Sequence, residues 1–490
     1  MLNKEVYLRT SGEVCTQIAS YFDVVDNCVS VADSNKMYKI NPQTSYSPSP
    51  PIKQGSYTTV IISPNSDNTA DIYNGFIKAD MKITVNTNNV GVIKKLSDSE
   101  NYNFNRIWVG FKDARDAIEK YEIVCNGMSM YTQNFGCEES FLTACCSNDV
   151  TKKADVYSKA RHKDIWNGKP GARTGFIFET NTETSSNKTH TDTIHLKIDL
   201  RRFLPLSNIK YLPAFAGKIE LRLYFSCAGL VYCPCGPSEN LYRDPNAAIR
   251  YKLDPVTNEF SQIGDEIKCW AASEAGTWGG EKGIPYTYIK AVERTYKVDS
   301  YSVTLCQSII PCFGLIDSVY NALVARYSNP STPLIFPTQT ISVYTTTTAL
   351  KSDHASSTIT ITPRFVDAIF CLFPLKITDK TVFKNPLFES FYITAGNYGN
   401  IPAQSFGTNG NYPEFIEYCQ NAMNMNGEQS GFNEEVINSL TNKSKYTFNT
   451  GLFSEDKSSF FIGLPTETDG TYQQGLSAIA PINFEMVVTQ

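Results

Sequence analysis

An all-β chain made of two β-rich regions, with short helices inserted between strands, is what this sequence predicts. Three observations carry that reading. Apolar and polar residues alternate with a period of two in segment after segment, helical periodicity is confined to short stretches, and Gly, Pro and Asn clusters punctuate the alternating runs. The chain has 490 residues and 54.7 kDa, enough for two cores of roughly 200 to 250 residues each. With 28 Phe and 28 Tyr, it offers far more burial than a disordered chain would carry.

From the N-terminus, residues 1–60 hold few periodic segments, and Tyr46-Ser47-Pro48-Ser49-Pro50-Pro51 suits neither a helix interior nor a central strand, so the region reads as an arm and loops. Met81, Ile83 and Val85 share one face of the first clear strand, with Lys82 and Thr84 on the other. The alternation returns at Ile194, Leu196, Ile198 and Leu200, and again at Ile219, Leu221, Leu223 and Phe225. Such repetition means sheets with one buried face. Between these, residues 113–125 (DARDAIEKYEIVC) pull two ways. Glu119, Lys120 and Glu122 favour helix, whereas Tyr121, Ile123 and Cys125 alternate into Asn126-Gly127, and the prediction is a strand ending at that turn.

Further short strands are expected at Val303 and Leu305, at Ile341 and Val343, and at Ile359 and Ile361, the last threaded through Thr358, Thr360 and Thr362. Residues 413–423 start with a proline suited to a first helical turn and set Phe415, Ile416 and Cys419 on one side. In 432–440, Phe432, Val436 and Leu440 recur every four residues. Both are expected to be short helices. Gly236, Pro237, Pro245, Pro255, Gly264 and the stretch GTWGGEKG from Gly276 mark a junction of loop chemistry. The expected division is therefore an arm over 1–60, one β unit over 61–260 and a second over 261–490, with sandwiches favoured over an α/β fold.

Composition narrows the function. No apolar run approaches the length of about 18 residues that a spanning helix needs, and the start lacks the basic-then-apolar order of a signal peptide, so no membrane span and synthesis in the cytoplasm are expected. The 14 cysteines are scattered and read as mostly reduced. Residues 1–250 carry 29 basic and 26 acidic side chains, net +3, leaving 15 and 23, net -8, for the rest. Neither half has the dense basic stripe of a nucleic-acid binder. The run containing Lys159, Arg161, Lys163, Lys169 and Arg173 reads as a solvated loop.

A search for chemistry finds little convergence. His190 and His195 are five apart, on opposite faces of one strand, and with His162 and His354 they read as surface residues. Cys227, Cys233 and Cys235, with Cys269, suit zinc ligation, a disulfide or a loop of free thiols; the paired spacing of a zinc site is missing, which favours free thiols. Cys145 and Cys146 cannot both face one core from a strand, and no base that would activate a thiol is identifiable. Gly168 to Gly175 fails the order of a phosphate loop. The pairs Asp113 and Asp116, and Glu434 and Glu435, read as solvent-facing charge. No nucleophile elbow or zinc-protease motif is present, so the expectation is a non-enzyme without catalytic, cofactor-binding or metal residues.

Several segments resemble a known family. Residues 107–127, IWVGFKDARDAIEKYEIVCNG, are similar to the first-domain segment of double-jelly-roll major capsid proteins of the Polinton (Maverick), adintovirus and virophage-like group, where a strand ends in an Asn-Gly turn. Residues 194–225 resemble that family's apolar strand, proline-leucine step at Pro205-Leu206 and re-entering strand. Residues 452–486, with Phe460-Phe461-Ile462-Gly463, Gly475-Leu476 and Pro481 to Met486, look like its closing region, and residues 71–85 like its early strand. The Cys227 to Cys235 loop and the glycine-rich junction have no counterpart in the pattern.

The resemblance implies two consecutive eight-stranded jelly-roll β-sandwiches. It further implies a homotrimer forming a pseudo-hexagonal capsomer of an icosahedral virion capsid around double-stranded DNA. Partners would be neighbouring capsomers, penton and minor capsid proteins, and nonspecifically contacted packaged DNA; no cofactor is implied. On this reading Ile83, Leu196, Ile198, Leu221 and Leu223 belong to the first core, and Val303, Val343, Ile359, Ile361, Phe461 and Phe484 to the second. The competing reading is a glycan- or receptor-binding β-sandwich surface protein, with Trp166, Trp270 and Trp278 as candidate stacking residues.

Overall fold

The computed structural model describes residues 21–26, 39–40, 56–64, 68–90, 106–145, 174–179, 188–234, 262–263, 266–267, 276–277, 285–286, 293–328, 334–336, 338–346, 354–361, 365–366, 368–374, 380–396, 399–408, 413–422, 436, 440, 459–466, 476–477 and 482–489. The main strands of its first part are β1 (Thr58–Ile62), β2 (Phe76–Val90), β3 (Arg106–Phe111), β4 (Ile118–Cys125) and β5 (Met128–Gln133). Helix α1 (Gly136–Cys145) comes next, then β6 (Thr174–Glu179), β7 (Lys188–Asp199), β8 (Ile219–Phe225), β9 (Leu230–Pro234) and β10 (Glu293–Ile310). Beyond them come α2 (Asp317–Tyr327), β11 (His354–Ile361), β12 (Ala368–Cys371), β13 (Ser390–Ala395), β14 (Asn400–Phe406), α3 (Pro413–Ala422), β15 (Ile462–Pro465) and β16 (Ile482–Thr489).

Every ladder between these strands is antiparallel. In the first part, β7, β2 and β10 lie side by side in one sheet, β1, β8, β4 and β5 form another, and β9, β3 and β6 a third. The alternation read from sequence sets the buried face. Ile77, Ala79, Met81, Ile83 and Val85 of β2 and Ile194, Leu196 and Ile198 of β7 join Val60, Ile62, Ile219, Leu221, Leu223 and Phe225 in one apolar cluster. Thr84 and Thr191 meet on the opposite face, their hydroxyls 2.9 Å apart, as the period of two requires.

Strand β10 departs from expectation twice. It pairs with β2, Val303 opposite Met81, so Val303 is buried in the first core and not the second. A bulge between Val303 and Leu305 then shifts the register. Past the bulge Cys306, Ser308 and Ile310 face inward while Leu305 is only half-buried, because one extra residue inverts the parity of every later position in the strand. Strand pairing therefore crosses the expected division near residue 260. Within the expected arm, Thr58–Ile62 is a strand paired with β8, Lys39–Ile40 pairs with Ile309 and Ile310, and residues 21–26 are helical. Tyr21 and Val25 pack there with Tyr211, Leu315, Leu323 and Tyr327.

Residues 113–125 resolve into both predicted tendencies in series: a 3-10 turn at Ala114–Ala117 precedes β4. The strand ends at Asn126 and Gly127, whose φ values of 49° and 85° suit a tight hairpin into β5.

The second core gathers Phe391, Ile393 and Ala395 of β13 with Phe406, Phe415, Cys419, Phe460, Phe461, Ile462, Leu464 and Val488. Strand β16 lies between β11 and β13, and β13 pairs with β14. In the β11–β16 ladder Ile359 faces Phe484 and Ile361 faces Ile482, with the Ile359 side chain half-buried. Helix α3 sits on β15, its Phe415 and Cys419 buried as the spacing predicts, and Gly463 N–H donates to Cys419 Sγ at 3.3 Å. Val436 and Leu440 are buried and helical, while Phe432 lies outside the described residues. Ile341 and Val343 are not in a strand and both are half-buried. The Ile341 carbonyl is engaged by side chains, accepting from Gln133 Nε2 at 3.0 Å and Tyr131 Oη at 3.2 Å, instead of by a ladder partner.

Candidate functional site

The densest polar chemistry among the described residues is buried between the two cores. It starts at the 3-10 turn, where Asp113 and Asp116 cap reciprocally: Asp113 Oδ1 accepts from Arg115 N at 3.0 Å and Asp116 Oδ2 from Asp113 N at 2.9 Å. Such a box satisfies amide groups that the turn leaves unpaired. Both aspartates are buried, which corrects their reading as solvent-facing charge. The D-x-x-D spacing beside an apolar run was the legible signal, because a capping pair is drawn inward with the turn it terminates.

Arg115 is 0% exposed and its guanidinium carbon lies 4.3 Å from the Phe203 ring centre and 4.9 Å from that of Tyr121. A delocalised guanidinium tolerates that position better than an ammonium because the ring faces attract it and its hydration is weaker. Its Nη1 donates to the Ile118 carbonyl at 3.0 Å, and Nη2 lies 3.8 Å from Glu139 Oε1. Nε and Nη2 have no hydrogen-bond acceptor.

Glu139 comes from α1 and is also wholly buried. Its carboxylate accepts from Tyr121 Oη at 2.8 and 2.9 Å and from Leu204 N at 3.0 Å. Burial, with Glu139 alongside, holds the Tyr121 hydroxyl well above its ordinary pKa, so it remains a donor. Ser140 Oγ donates to Asp116 Oδ1 at 2.5 Å, and Cys137 Sγ lies 3.4 Å from the Asp116 carbonyl. Arg202 closes the cluster, reaching Asp113 Oδ2 at 3.1 Å and the Thr143 carbonyl at 2.5 Å. Burial, then the neighbouring Asp113, push Asp116 up to about 7.

Helix α1 bridges the two cores. Phe141, Leu142 and Cys145 point into the second cluster, the Phe141 ring 4.6 Å from that of Phe383, while Glu139 and Ser140 hold the turn that borders the first. Around this helix, Lys380 pairs with Glu138 at 3.2 Å, Lys112 Nζ reaches Ser459 Oγ at 3.5 Å and Thr381 Oγ1 donates to the Gly229 carbonyl at 3.4 Å. The cluster is a tie between cores. Its residues are capped, ringed by aromatics or paired, and none presents a group to an open cleft.

The other residues singled out by sequence are dispersed. His195 is exposed and its Nδ1 lies 2.7 Å from Asp80 Oδ1, whereas His190 lies on the other side of β7 against Phe176. Cys227 is half-buried and Cys145 buried, and the buried Cys137, Cys306 and Cys419 are free thiols. Burial pushes the Cys306 thiol up to about 12 and raises Cys137 and Cys419 as well, so these groups stay thiols at neutral pH. Among the described residues no three His, Cys, Asp or Glu side chains are placed to share a metal ion, and no helix is long and apolar enough to cross a membrane. Cys146, Cys235, Cys269, His162, the segment 168–173, Glu434, Glu435, Trp166, Trp270 and Trp278 lie outside the described residues.

No protein-family model matches the chain, and no curated protein sequence is significantly similar to it. Among solved structures the chain is similar to the crystal structure of the mavirus major capsid protein, at 10% identity and a TM-score of 0.42, over 92% of this chain and 84% of that one. The structure of the Sputnik virophage by cryo-EM aligns at 12% identity and a TM-score of 0.37, over 90% and 80% of the two chains. The Faustovirus major capsid protein aligns at 9% identity and a TM-score of 0.23, over 89% and 90%.

Proposed function

We propose that the chain is a viral major capsid protein of the double-jelly-roll kind, with three copies forming a pseudo-hexagonal capsomer. The observation that carries this reading is the pairing of two β cores in one chain through a shared helix and a buried ionic tie. A subunit with two similar β lobes held at a fixed angle gives six lobes when three copies close about a threefold axis. Two independently moving lobes would not tile reproducibly, so rigid fixation between them is the property that the role demands.

The segments that resemble the family support the same reading. Residues 107–127 form β3, the capped turn, β4 and the Asn126-Gly127 hairpin. Residues 194–225 run from the apolar half of β7 through Pro205 and Leu206 to β8. In the proposed division the first jelly roll extends past residue 260 to about Gly314, since β10 and Cys312–Gly314 pair with strands of the first part, and the second takes up the remainder. Neighbouring capsomers, penton and minor capsid proteins and packaged DNA are the proposed partners, the virion capsid the proposed location.

Particle imaging of the purified full-length chain, at pH 6 and at several protein concentrations, tests the proposal. Six-lobed trimers that associate further are expected. Monomers at every concentration, with affinity for immobilised glycans, would replace the capsid reading with that of a surface-binding protein.

A further inference from the structure

The cluster between the cores contains a charge imbalance that can be removed by one proton. Its wholly or nearly buried members are two cations, Arg115 and Arg202, and three carboxylates, Asp113, Asp116 and Glu139. Two of the carboxylates, Asp113 and Asp116, cap one short turn, Asp113 accepting from the Arg115 amide and Asp116 from the Asp113 amide. Buried like charges at that spacing do not both ionise readily.

We propose that Asp116 is the proton-binding element of a pH-sensitive latch: protonated, it leaves the buried cluster neutral and α1 seated on both cores, and ionised, it weakens the seat of α1.

The groups facing Asp116 decide how well this works. From its own turn these are Asp113 and Arg115, with Lys112 just before them. From α1 they are Cys137, Glu139 and Ser140, with Glu138 occupied by Lys380. Tyr121 and Glu119 belong to β4, Arg202 comes after β7, and Cys227 lies in the loop whose Gly229 abuts the Asp116 carbonyl. Lys112 is the one further cation of this set; half-buried at the rim with its Nζ toward Ser459, it favours the ionised Asp116, but by less than burial and Asp113 oppose it. Ser140 is bonded to Asp116 from α1 itself. A charge gained at Asp116 is therefore felt directly by α1; the Ser140 bond by itself favours the ionised carboxylate, but burial and the neighbouring Asp113 outweigh it.

Linkage gives the sign. Asp116 titrates near 7 in the folded chain, against 3.8 for the ordinary group, so its stabilising contribution is complete below about pH 4 and disappears as pH rises through 7. Across that window the single site changes the equilibrium for opening by up to about tenfold per pH unit.

The test is hydrogen exchange of the full chain at pH 5.5, 6.5 and 7.5, expressed as protection factors for residues 136–145, for wild type and Asp116→Asn. Wild-type protection of α1 is expected to fall several-fold between pH 5.5 and 7.5, and D116N to remove most of that fall, since asparagine keeps the acceptor without the charge. Every histidine is retained in the variant, so the difference isolates the aspartate. Should D116N fail to fold, Asp113→Asn serves instead, and the inflection is expected to move to lower pH as the like-charged neighbour disappears. Protection of α1 in the wild type that is independent of pH, or equal pH slopes in wild type and variants, overturns the latch whether or not the chain assembles into capsomers.

Discussion

At Glu139 a single side chain accepts from two donors, Tyr121 Oη and Leu204 N, and offsets a buried guanidinium, so its removal is costly in two ways. Glu139→Ala leaves Arg115 without its counter-charge in a dry site, and a loss of about 3 to 5 kcal/mol is expected in denaturant unfolding. Tyr121→Phe removes one donor and keeps the ring against Phe203; a smaller loss, about 1 to 3 kcal/mol, is expected in the same measurement. Little of this network could be read from sequence. Charged residues default to the surface, and Arg115, Glu139 and Arg202 are separated by enough chain that only the fold brings them together. What sequence did contain was the D-x-x-D capping pair, and its local geometry forces burial once β4 enters the core.

Among elements, β8 was the most legible, because every inward position is apolar and every outward one polar, and the burial alternates without interruption. Leu221→Ala in that strand is expected to cost about 2 to 5 kcal/mol, read as a lowered unfolding midpoint. Strand β10 was legible only at Val303, between its two register shifts, since a bulge is a property of the pair of strands and has no fixed signature in one of them. The alternation at Ile341 and Val343 misled for a related reason: a period of two describes an extended chain, and whether a ladder partner exists is decided elsewhere. Helix α1 went unread because its polar Glu139, Ser140 and Thr143 face an interior that is itself charged. Its start is fixed by contact. A Cβ at Gly136 would lie 2.5 Å from the Ile118 carbonyl, so Gly136→Ala is expected to destabilise by about 1 to 3 kcal/mol despite alanine's better helix propensity, with thermal unfolding as the readout.

For the molecule as a whole, the existence of two β cores was visible in the repeated strands on either side of the loop-rich stretch, but their division and their bond were not. The loop-rich composition after residue 236 suggested a boundary there, whereas β10 returns to the first sheet beyond it. Chain connectivity and spatial grouping coincide only where no late strand completes an early sheet. Since α1 packs into the second core and holds the turn that borders the first, Phe141→Ala is expected to lower the unfolding midpoint of the first core as well as the second. Fluorescence and circular dichroism transitions that shift together would show this; a shift confined to the second core would mean the cores melt separately.

Phe141, Leu142 and Leu204 precede Gly314 in the chain yet lie among residues that come after it. A fragment ending near Gly314 would expose this greasy surface to water and self-associate, whereas the complementary fragment would lack the plug that fills its interior. Neither half is a self-sufficient module, and the two are expected to be recovered in soluble form only when co-expressed or left joined.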